Sequence, residues 1–226
     1  MSTTRFLKMI PFAFAFTLFF SSAKSQEKQQ DKVAAATQVL KDFGGMKEKI
    51  PSDMLKVTQG IIIVPKLINA GLGVGGKRGR GIAMSKLADG SWSDPVFVTL
   101  TGGSVGFQAG IQSIDLVLIF KNRSTLEKIG GGTFTLGGDI SATAGPVGRS
   151  SSASTDYKME AEVYSYSRSK GLFAGISLQG VNIDIDDKGD TDFYGKEVSS
   201  KTLFESSSSD IASVKDLKSQ LESLYK

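Results

Sequence analysis

Hydrophobic residues recur along this chain in two rhythms. Near the amino end, Val33, Ala36, Leu40 and Phe43 fall three or four positions apart within "QEKQQDKVAAATQVLKDF". That spacing puts them on one face of an α-helix, and Gly44 and Gly45 end it. "IPSDMLKVTQG" then offers Ser52 as a cap, a short helical turn and Gly60 as its exit. At the other end Ile211, Val214, Leu217, Leu221 and Leu224 form one apolar stripe after "SSSSD". Between these helices the rhythm shortens to that of strands: "GIIIVP", "GIAMSK", "PVFVTL", "DLVLIF", "GTFTLGGDI", "AEVYSYS" and "LFAGISLQGVNIDI". Glycines and polar turns such as "ADGS" and "DDKGD" punctuate them. No stretch between them is long enough for a crossover helix, apart from a single turn at "STLEKI". The pattern predicts an α+β fold: a mostly antiparallel, strongly curved, glycine-rich sheet or barrel-like core, with amphipathic helices at both ends.

"GLGVGGKRGRG", residues 71–81, begins with G-x-G-x-x-G. A dinucleotide loop requires a strand, the glycines and then a helix whose amino terminus receives the pyrophosphate. Here "KRGRGIAMSK" continues as a strand, and an acid about 20 residues on falls near Asp89, in a turn. Glycines also crowd "TGGSVGFQAG", "LGGDISATAG" and "GLFAGISLQG", within or beside strand-type runs. They are predicted to serve curvature and close backbone approach.

The first residues change the picture of charge. Arg5 and Lys8 precede the apolar run "MIPFAFAFTLFF", and "SSAKSQ" follows it. This is the order of a secretory signal peptide, 1–25, with Ala23 and Ser25 at the small-residue positions and a cut before Gln26. The run is short of the about 20 residues a permanent span needs. Loss of the leader removes Arg5, Lys8 and Lys24 and no acid, taking the net charge from +4 to +1. Affinity for an anionic surface must then come from local clusters. The expected product is exported, to the periplasm or outside the cell, as a single domain over 26–226.

The chain holds no cysteine and no histidine. Disulfides, thiolate or imidazole metal sites and Ser-His-Asp or Cys-His catalysis are thereby excluded. Catalysis by carboxylates or by serine and lysine would remain. Neither a catalytic residue, a metal nor a cofactor is assigned.

"QGIIIVP", "AGLGVGGKRGRG", "TGGSVGFQAGIQSIDLVLIF", "LGGDISATAGPVGRS", "YSYSRSKGLFAGISLQG" and "FYGKE", in this order and spacing, resemble the SYLF lipid-binding domain family over about residues 33–198, with the carboxy-terminal helix at 209–226 beyond. The same family carries an actin-binding label after a yeast endocytic member. The resemblance implies non-catalytic binding of anionic phospholipid, with an amino-terminal amphipathic helix and basic residues at the membrane surface. Export argues against actin as the partner, and an exported member without a second domain looks bacterial.

The residues supply the chemistry for such binding. Lys77, Arg78 and Arg80 are expected in a glycine-rich turn whose backbone N–H groups, with the cations, would cradle phosphate. Arg149 after "AGPVG", and Arg168 and Lys170 before "GLF", are further cations beside glycines. If these loops share one rim they make an anionic-surface patch worth about 1 kcal/mol per cation; ordinary solvated turn positions are the alternative. Leu172 and Phe173 are either an apolar wedge or the start of a core strand. Lys32, Lys41, Lys47 and Lys49 either lie on lipid or simply face solvent, with packing of the helix on the sheet as the default.

Other motifs carry less. Ser167 to Lys170 spells S-x-x-K, but S-D-N and K-T-G are absent. "DIDDKGDTDFYG" sets Asp184, Asp186 and Gly189 at calcium-loop positions, yet Gly195 stands where the bidentate acid belongs, so a hairpin turn is expected. Asn122-Arg123-Ser124 is a sequon that matters only in a host with glycosylation. Nucleic acid is not an expected partner, since net charge and aromatic-basic interleaving are lacking. Anionic lipid, a protein partner in the cell envelope, and a carboxylate or Ser/Lys hydrolase are the three function classes left.

Overall fold

The computed structural model describes residues 10–47, 49–132, 134–145 and 161–224. Its element order is α1 (Ile10–Gly44), α2 (Ser52–Lys56), β1 (Gly60–Ser85), β2 (Val96–Phe120), α3 (Arg123–Glu127) with a 3-10 turn to Gly131, and β3 (Phe134–Leu136). There follow β4 (Ala142–Ala144), β5 (Val163–Ser169), β6 (Leu172–Phe173), β7 (Val181–Ile185), α4 (Asp187–Tyr194), α5 (Ser200–Glu205) and α6 (Ala212–Leu224).

The sheet is organised by one very long hairpin. Four of the expected strands fuse into two, because "GLGVGG" and "TGGSVG" continue the extended backbone instead of turning it. β1 pairs with β2 antiparallel from Gly60↔Phe120 to Ala83↔Val96, with register shifts between Val64 and Leu67 and between Leu72 and Gly73. A two-stranded ribbon of this length cannot stay flat, and it doubles back on itself. A Cβ on Gly79 would meet Val64 and Leu67, and one on Gly81 would meet the Ile63 carbonyl and Val64. The first and second halves of β1 therefore lie against each other where those glycines sit. β7 and β5 add to the two ends of β2, β3 adds to β7, and β4 and β6 add to β5. Only β4–β5 is parallel among the described pairs.

Alternation along these strands sorts side chains onto two faces. The inner face carries Ile62, Val64, Leu67, Val98, Leu100, Leu116, Leu118, Val181 and Ile183, closed at one end by Leu126, Ile129, Leu203 and Phe204. The outer face carries Ile61, Ile63, Ile82, Phe97, Val117, Ile119 and Tyr166. It is covered by Val33, Ala36, Leu40 and Phe43 of α1, Phe193 of α4, and Val214, Leu217 and Leu221 of α6. The apolar stripes read from the two ends thus meet in a single layer outside the barrel-like sheet. α1 starts at Ile10 and runs through the 25/26 junction without a break, and Gln26 Nε2 donates to Phe193 O at 3.1 Å. Among the described residues no helix is long and apolar enough to cross a membrane.

"DDKGDTDFYG" is not a hairpin turn but α4. The Asp186 side chain accepts from Gly189 N at 3.0 Å, which caps the helix, and Gly195 ends it at φ 69°. A buried carboxylate at Asp94 ties the carboxy-terminal segment down. It accepts from Ser206 Oγ (3.1 Å), Ser208 N (3.0 Å), Ser209 N (3.2 Å) and Lys218 Nζ (2.8 Å). The "SSSSD" run therefore wraps an internal anion before α6 begins.

Candidate functional site

The expected cationic cradle does not form as a turn. Lys77, Arg78 and Arg80 lie within β1, opposite Gly102, Thr101 and Thr99 of β2, so their backbone is part of the strand ladder and not a phosphate nest. Alternation sends Lys77 to the inner side, where it is buried, its Nζ donates to Ser177 O at 2.7 Å, and burial lowers its pKa. Arg78 and Arg80 face outward and are exposed. Arg80 stands 4.0 Å from Asp186, too far for more than a weak pairing at an exposed site.

Arg168 is likewise no free surface cation. Its guanidinium donates to Asp115 at 2.6 Å and to Asp42 of α1, and it stands 6.0 Å from the Phe43 ring centroid. Burial works against its charge, but the two carboxylates outweigh that and raise its pKa. It works as a structural clamp between α1, β2 and β5. Lys170 is exposed at the β5–β6 turn, and Arg149 lies outside the described residues. The five expected cations that are described are therefore split between inward, clamped and outward positions, and do not form one rim.

The apolar candidates divide in the same way. Phe173 joins the outer core, its ring 5.8 Å from Phe43 and 6.4 Å from Tyr166. Leu172 is 73% exposed. On α1, Lys32 lies along the fold, 5.6 Å from the Phe97 ring centroid and 2.6 Å from Gln29 Oε1, and burial lowers its pKa most. Lys41, Lys47 and Lys49 face solvent. The apolar stripe of α1 from Val33 to Phe43 is spent on the sheet.

The sequence reading missed Lys66. It sits exposed in the bulge after Pro65 with φ 53°, its N–H donating to Asp115 Oδ1 at 3.1 Å. "VPK" within a strand was its available signal, since proline in a strand marks a bulge or an edge. Ser167 Oγ donates to Ala174 O and Lys170 sits at an exposed turn, so S-x-x-K is a strand end here. Among the described residues no group of three acids is arranged to hold a metal. A shallow concavity beside α4 is lined by Asp187, Lys188, Thr191, Glu197, Val198 and Ser199, and its charged side chains are exposed.

These features define a class: a curled glycine-rich ribbon backed by terminal helices, with its chemistry on the surface. The family model for Ysc84, described as "Las17-binding protein actin regulator", matches residues 101–224. LAS seventeen-binding protein 3 of Saccharomyces cerevisiae is 35% identical over 80% of the chain and 40% of its own length. SH3 domain-containing YSC84-like protein 1 is 32% identical in Xenopus laevis, over 78% of the chain and 53% of the relative. The Homo sapiens protein of that name is 34% identical over 71% and 47%. The chain belongs to the Ysc84, or SYLF, family, and spans about half or less of the length of these relatives.

Proposed function

We propose that the chain is an exported module that binds the surface of an anionic phospholipid membrane and catalyses no reaction. The observation that carries this reading is the distribution of charge on the ribbon and its neighbours. Residues 66–83, 96–114 and 163–179 contain no Asp or Glu, yet carry Lys66, Lys77, Arg78, Arg80, Arg168 and Lys170. With Lys77 turned inward and Arg168 clamped, Lys66, Arg78, Arg80 and Lys170 remain exposed. At about 1 kcal/mol per cation near an anionic leaflet, four of them give about 4 kcal/mol, a partition gain near a thousandfold that salt screens.

Vesicle sedimentation tests it. The chain is expected to pellet with phosphatidylcholine vesicles that contain phosphatidylglycerol, to lose that retention as salt rises, and to stay in the supernatant with phosphatidylcholine alone. Equal retention by neutral vesicles, or retention by neither, would count against the reading. The leader pattern supports export, and an exported chain meets lipid and not actin. The matched family's description as an actin regulator favours a second reading, a protein-docking module of the envelope. It predicts a defined partner in pull-downs and indifference to lipid.

A further inference from the structure

We infer that the glycine-built bend of the β1–β2 ribbon is the part that enters the lipid, as an apolar tip backed by Lys66 and Lys170, and that the 33–43 stretch of α1 does not. The inference rests on the lipid-surface reading above and says which residues carry it.

The outer face of the sheet is covered only part of the way along. α1 packs over Ile63, Val117 and Ile119 and stops at Gly44, with Asp42 reaching Arg168 and Asp115. Past that clamp the same face carries exposed side chains among the described residues. Ser113 and Ile111 follow Asp115 by twos on β2, and Ile68 and Ala70 stand opposite them, so Ile68 and Ile111 are diagonal neighbours on one face. On the other half of β1, Val74 alternates in phase with Arg78, Arg80 and the outer-core Ile82. Leu172 reaches the same end, because its partner Ser169 donates to Ser113 O at 3.3 Å. Among the residues whose side chains are described the large exposed apolar ones are these four: Ile68, Val74 at 76%, Ile111 at 80% and Leu172 at 73%.

Three observations decide what covers them. The segments that build the tip lack any carboxylate, so the tip repels a second copy of itself and suits an anionic surface. Lys66 and Lys170, with φ of 53° and 50°, are the non-glycine residues with left-handed backbone among those described. Both stand at the border of that exposed face, where glycine would relieve the strain but not supply the charge. Finally, Val33, Ala36, Leu40 and Phe43 of α1 are already buried against the sheet, so that stretch of the helix has no apolar face to give to lipid. Apolar side chains at the end and lysines behind them are the arrangement of an interfacial wedge, reaching about 5–10 Å into the headgroup boundary.

The test uses the full chain with phosphatidylcholine vesicles, with and without phosphatidylglycerol. A Val74→Asp/Ile111→Asp variant changes two exposed side chains and is expected to keep its thermal midpoint while acidic-vesicle partitioning falls ten- to hundredfold. Lys66→Gly/Lys170→Gly is expected to be at least as stable as the parent and to bind several-fold less, which keeps the test decisive if the aspartates disturb folding. Val74→Trp should show a blue-shifted emission on acidic vesicles, against a background from Trp92, which is 2% exposed. Undiminished binding by these variants, or an unshifted tryptophan, overturns the wedge and leaves the lipid reading intact. Failure of the parent chain to bind acidic vesicles overturns the lipid reading itself. Sedimentation equilibrium showing that the parent is a dimer and the aspartate variant a monomer assigns the face to a second copy and also overturns the wedge.

Discussion

Replacing Gly81 with alanine tests the doubled ribbon directly. The added methyl would point to the inner face, 2.9 Å from Val64 Cγ2 and closer than that to the carbonyl of Ile63. The second obstacle is backbone from the other half of the same strand, which no rotamer change can move aside. Forcing extra methylene-sized groups into packed interiors costs about 1–3 kcal/mol, occasionally more, and a backbone obstacle puts this case at the upper end. Against it stands a gain of about 0.5–1 kcal/mol from reducing the freedom of the unfolded chain. The net loss is about 2–3 kcal/mol. At about 2–4 °C per kcal/mol for a chain of this size, the melting midpoint should fall by about 5–10 °C. Gly103→Ala is the matched control, since nothing lies within 4 Å of its added carbon; it should melt at or slightly above the parent. Urea unfolding followed by circular dichroism measures both. A Gly81→Ala midpoint equal to that of Gly103→Ala would mean that the two halves of β1 do not touch.

Two further predictions concern buried carboxylates. Asp94→Ala removes the acceptor of Ser208 N, Ser209 N and Lys218 Nζ and strands the lysine; a loss of about 3–4 kcal/mol is expected, with amide exchange rising first in α6, and unchanged exchange there would refute the tether. Burial, with Asp187 and Asp186 adding to it and the Phe97 N–H opposing it, pushes the Asp190 carboxyl up to about 7. The folded chain therefore holds a proton that the unfolded chain releases near its ordinary pKa of about 4. Stability from this group is fully present below about pH 4 and is lost as pH rises through about 7. Asp190→Asn should flatten that decline and be the more stable form at pH 8 by on the order of 2–4 kcal/mol. Parallel stability curves for the two proteins from pH 4 to 8 would contradict it.

The terminal helices and the strands were legible because each is a periodic run long enough to outweigh local exceptions. The glycines were rightly read as serving close approach, and Gly79 and Gly81 show where it happens. Their effect on chain direction was not legible. A stretch such as "GLGVGG" is equally compatible with a turn and with extended backbone, and only pairing with β2 decides. The error at Lys77 follows from that one, because side-chain direction alternates along a strand and shifts with each bulge. Whether Lys77 or Arg78 faces solvent depends on the register after Leu72, which no local pattern encodes. α4 and α5 were hidden for a different reason. "DKGDTDFY" is a weak helix former and "SKTLFE" is too short to stand alone; both are held by side-chain caps, at Asp186 and Ser199, the latter 3.2 Å from Thr202 N, and by packing of Phe193, Leu203 and Phe204. The clamp at Arg168 joins residues 126 and 53 positions away, a convergence that sequence order conceals.

The layer outside the sheet is assembled from opposite ends of the polypeptide: Leu40 and Phe43 share it with Val214, Leu217 and Leu221. A chain emerging amino end first can zip the ribbon, since Ala83 meets Val96 across a short connection, but cannot complete its outer wall until the final helix has been delivered. Until then the first helix can lie on the ribbon, but the flank that Val214, Leu217 and Leu221 will cover stays open to water. Any handling factor that escorts the newborn polypeptide would be needed for that interval, and truncation of the last dozen or so residues would prolong it indefinitely.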